Sequence, residues 1–211
     1  MSGGLSKIAR LNKKPKSFVS SSLTTNDRDM NRDEAYALLT EMTETESLLR
    51  HARTVELVMR ALALHFGEDE EKFAATGLLH DADYEKYPDQ HPGVIVARLR
   101  ELGEEEIAHA IAGHYTKWNV ARNSLLDKSI VAADELTGFI YAAALIRPTR
   151  IEGMNAKSVL KKLKTKSFAA SVDREEVRKG AELLGWELRE LIEFIIPVLE
   201  GHGEELELVA H

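Results

Sequence analysis

Apolar residues recur every three or four positions through most of this chain, and strand-like alternation is nowhere sustained. The clearest stripe joins Leu48, His51, Val55, Val58 and Leu62, which share one face of a helix predicted over 47–66. Gly67 is placed to stop it. The same spacing predicts helices over 33–40, 68–80, 92–102, 104–114, 125–146, 156–164, 173–184 and 186–200. Punctuation agrees with these limits. Pro92 suits a first helical turn, Ser124 suits an N-cap, and Pro148 closes the long helix before it. A Pro-containing loop covers 83–91. No internal repeat is visible, and no heptad run is long enough for a coiled coil. The expected fold class is all-α, a helical bundle.

Residues 1–29 break the pattern. They are rich in Ser, Thr and Lys, lack apolar periodicity, and read as a disordered N-terminal extension. A transit peptide is one alternative, although no amphipathic stripe is present. Translation starting at Met30 is another, because Met30-Asn31-Arg32-Asp33-Glu34 reads as a capped helix start. Residues 30–211 are expected to form a single domain, long enough to bury a core.

Charge and composition narrow the function classes. The extension carries a net +4, leaving −11 on the remainder. Within that acidic remainder, residues 147–179 hold ten Lys or Arg against four Asp or Glu. A basic segment on an acidic domain suits a local anion site, and nucleic-acid binding is not expected. Cysteine is absent, which excludes disulfides, thiolate zinc sites and cysteine nucleophiles. No apolar run approaches the roughly 18–20 residues of a membrane span, and no secretory signal is evident. A cytoplasmic location is expected, with no membrane partner. Oligomeric state is not legible.

The candidate chemistry starts at the doublet His80-Asp81, which ends the apolar run Phe73-Ala74-Ala75-Thr76-Gly77-Leu78-Leu79. A carboxylate among core residues is costly unless paired or bound to a metal. His51, His91, His114 and Asp134 stand in similar settings. His114 shares a helical face with Ile107, Ala110 and Ile111, and Asp134 lies on the stripe of Ile130, Thr137 and Tyr141. Any one of these alone reads as a satisfied core polar residue. Taken together, one shared cation site explains them all. His65, His109, His202 and His211 have no such setting and are expected at surfaces or helix ends.

The order His51, His80-Asp81, His91, His114, Asp134 resembles the HD superfamily of metal-dependent phosphohydrolases, over residues 34–200. The stretches His80-Asp81-Ala82-Asp83-Tyr84-Glu85-Lys86-Tyr87-Pro88 and Ala132-Ala133-Asp134-Glu135-Leu136-Thr137-Gly138-Phe139 are similar to a small bacterial branch of predicted HD hydrolases. The resemblance implies an HD-domain helical bundle in which His51, His80, Asp81 and Asp134 match the shared mononuclear ligand set. In binuclear branches two further histidines join and the doublet's aspartate bridges two ions. His91 and His114 match those by order, and Ala110-Ile111-Ala112-Gly113-His114 resembles the corresponding stretch of binuclear HD diadenosine tetraphosphate hydrolases. One departure stands out. Many binuclear relatives carry a lysine three positions after the doublet's aspartate; Tyr84 is there instead, with Lys86 the nearest lysine.

Nitrogen and oxygen ligands suit one or two divalent ions drawn from Mn, Fe, Co, Ni, Mg and Zn. The implied activity is hydrolysis of a small phosphorylated substrate by metal-activated water. Asp81, and Asp83 beside it, are the expected catalytic carboxylates; Asp83 is alternatively a holder of a ligand histidine or a loop cap. Lys117, Arg147, Lys157 and Lys166 are the expected substrate-binding cations, with Lys161, Lys164 and Arg174 nearby in the basic segment. Tyr84, Tyr87 and Trp118, close to the candidate ligands, point to a nucleotide. Two alternatives remain at this stage: a mixed-valent di-iron oxygenase on the same scaffold, and a regulatory domain with structural metal.

Overall fold

Helix ends in this chain are written in polar side chains. Asn31, Ser124 and Asn155 each accept the amide three residues on, forming reciprocal capping boxes with Glu34, Asp127 and Ser158. Asp69 and Asp173 cap two more helices in the same sense. The structure is a computed structural model that describes residues 30–210. The expected disorder of 1–29, and His211, lie outside the described residues.

Among the described residues there are nine α-helices and one 3-10 turn, with no strand. In chain order they are α1 Arg32–Thr40, α2 Glu46–Phe66, α3 Glu70–Leu79, α4 Gly93–Leu102, α5 Glu105–His114, the 3-10 turn Thr116–Trp118, α6 Leu125–Leu145, α7 Ala156–Leu163, α8 Arg174–Leu184 and α9 Leu188–Gly201. Among the described residues no helix is long and apolar enough to cross a membrane. Every helix predicted from periodicity is present, with ends displaced by one or two residues. The largest displacements have local causes. Residues 186–187 are not helical because Gly185 ends α8 in the left-handed region at φ 74° and Glu187 caps α9. The turn at 116–118 carries too few residues for a periodic signal.

Helix α2 is the spine. It packs most extensively on α3 and also touches α6 and α9. On one side, α2, α6, α8 and α9 enclose a core that includes Leu62, Phe139 and Ile195. On the other, α1, α3, α4 and α5 enclose a core around Leu39, Leu79 and Ile107. Close helix approaches depend on two glycines. A Cβ at Gly77 would meet the Glu56 backbone at 2.9 Å, and one at Gly180 would meet Ala132 Cα at 2.7 Å. These contacts draw α3 against α2 and α8 against α6. A buried ion cluster reinforces the outer side of α2: Glu56, wholly inaccessible, accepts Arg32 Nε at 2.7 Å and pairs with Arg53 at 2.8 Å.

Candidate metal centre

Three helix-borne side chains, the doublet that follows α3 and one loop histidine meet where α3 and α5 end against α2 and α6. His51 projects from the middle of α2, and His80-Asp81 follows the last residue of α3. His114 is the last residue of α5, Asp134 sits mid-α6, and His91 lies in the loop before α4. The C-terminal ends of α3 and α5 therefore face the cluster with the negative ends of their dipoles, which favours cations.

The distances divide the cluster into two groups that share Asp81. His51 Nε2 lies 3.2 Å from His80 Nε2 and 3.1 Å from Asp134 Oδ1. His80 Nε2 lies 3.3 Å from Asp134 Oδ1 and 3.5 Å from Asp81 Oδ2. The other Asp81 oxygen, Oδ1, faces His91 Nε2 at 3.3 Å and His114 Nε2 at 3.5 Å. Either group, His51-His80-Asp81-Asp134 or Asp81-His91-His114, could hold a metal ion.

The hydrogen bonds behind the histidines decide where their lone pairs point. His80 Nδ1 is 2.8 Å from the Gly77 carbonyl, and His114 Nδ1 is 2.5 Å from the Ile111 carbonyl. A carbonyl only accepts, so each Nδ1 carries the proton and each Nε2 offers a lone pair to the cluster. His91 Nδ1 donates to Asp83 Oδ1 at 2.7 Å, with the same result. Lone pairs facing carboxylate oxygens at these distances repel unless a proton or a cation lies between them. The donor set thus fits divalent ions, with the outer hydrogen bonds that commonly fix histidine ligands. Gly138 makes room for the His51 ring, since a Cβ there would lie 3.4 Å from its Cε1.

Electrostatics carry the same message. Complete burial works against a charged His80, yet the Asp81 and Asp134 carboxylates raise it to about 9. Burial would raise the two carboxylates, but His80 outweighs it and holds both well below the ordinary range, helped by His114 at Asp81 and by His51 at Asp134. A bound metal ion would supply the positive charge that these carboxylates otherwise favour on His80.

A cleft of about 690 Å³ opens over the cluster. Lys117, Tyr84 and Tyr115 line it near the histidines, while Glu135, Asp173 and Glu176 line it on the α6 and α8 side. Burial, then the neighbouring Asp134 carboxylate, pushes the Glu135 carboxyl up to about 7.

The expected site residues fall into three places. The six candidate ligands converge. Lys117 lines the cleft, although its side chain is exposed and stands 5.3 Å from the Tyr115 ring centre. Asp83 is wholly buried behind His91 and also accepts the Val94 and Ile95 amides at 3.0 Å, so it touches α4 and the imidazole rather than the cleft. Arg147 lies outside the cleft wall and donates to the carbonyls of Arg150, Ile151 and Glu152. Lys157 and Lys166 are exposed and do not line the cleft. Arg174 staples the turn before α8 by donating to the Phe168, Ala169 and Val172 carbonyls. Of the stacking candidates, Tyr84 is in the wall and Tyr87 and Trp118 are not. Residues 48–138 match the family model of the HD domain. This stretch of the chain is similar to HD domains. The match runs from the first turn of α2 past Asp134, so it includes every candidate ligand. HD domains bind divalent metals and are mostly metal-dependent phosphohydrolases. No curated protein and no solved structure matches the chain.

Tyr115, Glu135, Gly138, Asp173 and Glu176 were not picked out from the sequence as parts of this site. Glu135 and Gly138 had a usable signal, since they sit one and four residues beyond Asp134 on the same helix. Asp173 and Glu176 had none, because only the packing of α8 on α6 brings them to the cleft. His109 and His65 serve elsewhere. His109 contacts the buried Asp127 at 3.0 Å, and His65 lies edge-on to Phe66, Trp186 and Phe194.

Proposed function

We propose that this HD domain hydrolyses a phosphate ester of a small metabolite, with two divalent ions held on either side of Asp81. The observation that carries the reading is the division of labour within one carboxylate: Oδ2 faces His80 and Oδ1 faces His91 and His114. When bound, divalent ions supply Lewis acidity, which neutralises phosphoryl charge and lowers the pKa of water toward neutrality. His51, His80 and Asp134 would hold one ion, and His91 and His114 the other. Asp83 keeps His91 in the productive tautomer through its 2.7 Å hydrogen bond and so acts as a positioning residue. Lys117, the one lysine or arginine in the cleft wall among the described residues, would meet the phosphoryl group at the mouth. Tyr84 and Tyr115 give the organic part of the substrate aromatic surface, which is compatible with the expected nucleotide.

Metal-loaded protein should release inorganic phosphate from at least one member of a phosphoester panel that includes nucleotides. Activity should vanish in Asp81→Ala protein that retains its helical circular dichroism. Folded, metal-loaded protein inert across the panel would contradict the reading. Iron-dependent oxygen uptake in place of phosphate release would point instead to the oxygenase chemistry of the same scaffold.

A further inference from the structure

Helices α2, α4 and α8 each stop on a left-handed glycine, Gly67, Gly103 and Gly185, whose amide turns back onto the helix. Helix α5 stops differently. His114 is its last residue, and Tyr115 leaves in extended backbone at φ −80° and ψ 95°. The last carbonyls of a helix need partners from outside its own ladder. One partner arrives from the loop before α6. Arg122 Nε donates to the Gly113 carbonyl at 2.8 Å, and a Cβ on Gly113 would lie 3.7 Å from Arg122 Cγ, so the arginine lies across the end of the helix. A guanidinium there also meets the negative end of the α5 dipole. The side chain is only 9% exposed, which leaves water little access to the same carbonyl. The far end of the fork, Nη2, faces Glu176 Oε2 of α8 at 3.8 Å, and Lys179 stands 3.7 Å from that carboxylate. Arg122 therefore ties the end of α5 to α8.

The consequence falls on the metal centre. His114 Nδ1 is bonded to the Ile111 carbonyl within the same last turn, so its ring is aimed only as firmly as that turn is held. The Gly113–Arg122 bond also closes the excursion that carries Tyr115, Thr116 and Lys117 along the cleft, while Arg122 itself does not line the cleft. We propose that Arg122 is a positioning residue for the ion held by Asp81, His91 and His114: it clamps the last turn of α5 and so keeps His114 Nε2 aimed at Asp81 Oδ1. The inference rests on the two-ion reading of the centre. Arginine suits the task because Nε and Nη2 serve two partners in different directions, a carbonyl and a carboxylate. Lysine has one nitrogen and cannot bridge both.

The test uses the full chain, with Mn(II) titration of each variant and NMR of isotope-labelled histidine in chelated protein. Arg122→Ala should weaken the ion at Asp81, His91 and His114 about tenfold, the low end for a group that supports a ligand, and change the ion at His51, His80 and Asp134 by less than about threefold. Without metal, the His114 Nδ1–H should exchange with water at least about tenfold faster in Arg122→Ala than in the wild type. Arg122→Lys should recover melting temperature more fully than Mn(II) affinity. Arg147→Ala is the structural control. It too strips a guanidinium from backbone carbonyls, but outside the cleft, and should lower the melting temperature while both Mn(II) affinities hold. If Arg122→Ala does not fold, Arg122→Lys carries the same comparisons. Wild-type protein binding two equivalents, with both affinities unmoved in the Arg122 variants, both weakened equally, or an unchanged His114 exchange rate, would overturn this inference and keep the two-ion reading. Wild-type protein that binds fewer than two equivalents would overturn both.

Discussion

Asp83→Ala separates the support of the centre from the centre itself. The Asp83 carboxylate is fully buried and accepts three hydrogen bonds, from His91 Nδ1, Val94 N and Ile95 N. Alanine removes the acceptor for two amides in the first turn of α4 and for the imidazole. A lost helix cap costs about 1 kcal/mol, and each buried donor left unpaired costs about 1–3 kcal/mol. Water entering the vacated space offsets part of this, so a loss of about 3 kcal/mol is expected. For a domain of this size that is roughly 10 °C in Tm, read on chelated protein. The effect on metal should be local. An ion held by Asp81, His91 and His114 should bind about 10–100-fold more weakly, while the group of His51, His80 and Asp134 keeps its affinity. Asp83→Asn retains an oxygen for the α4 amides and should recover most of the stability, yet its amide cannot fill both acceptor roles and metal binding should stay weak. A Mn(II) titration reads both sites. Undiminished binding of the ion held by Asp81, His91 and His114 in folded Asp83→Ala protein, or equal loss of both ions, would refute the reasoning.

Three further outcomes are expected. In chelated protein the folded His80 titrates at about 9, above its ordinary 6.5, so its stabilising contribution is complete below about pH 6.5 and is lost as pH rises through 9. Urea melts should show a decline of up to about 3 kcal/mol across that window, abolished by saturating metal; a flat profile in chelated protein would contradict the assignment. Glu56→Ala should cost about 2–3 kcal/mol, because Arg32 and Arg53 lose a fully buried partner while remaining partly hydrated, and a change below about 1 kcal/mol in urea melts would count against the ion cluster. Gly180→Ala should cost about 1–3 kcal/mol by forcing α8 away from Ala132 and Val131, and an unchanged urea midpoint would show that this contact yields freely.

Much of the fold and part of the centre could be read from residue order. The stripe of Leu48, His51, Val55, Val58 and Leu62 placed His51 on an inward face, and the structure sets that ring against His80 and Asp134. Asp134 betrayed itself as a poor helix former inside an apolar helix. The cations were harder. Arg147, Lys157 and Lys166 share a basic segment, but a run of charge does not say where its helix turns, and Arg147 spends its guanidinium on the carbonyls that close the loop after α6. The acidic wall was invisible for a related reason. Glu176 and Asp134 are far apart in sequence, and only a close α6–α8 contact at Gly180 brings their surroundings into one cleft. Glu56 reads as an ordinary polar position of an amphipathic helix, because its burial depends on arginines contributed by α1 and by its own helix.

Metal stoichiometry with single-ligand variants tests the shared carboxylate most directly. Protein freed of metal and titrated with Mn(II) should take up two equivalents. His91→Ala should keep one of them, and Asp81→Ala should lose both or bind both far more weakly, since each group relies on one of its oxygens. Folded protein that binds no Mn(II), or whose binding is indifferent to Asp81→Ala, would contradict the account.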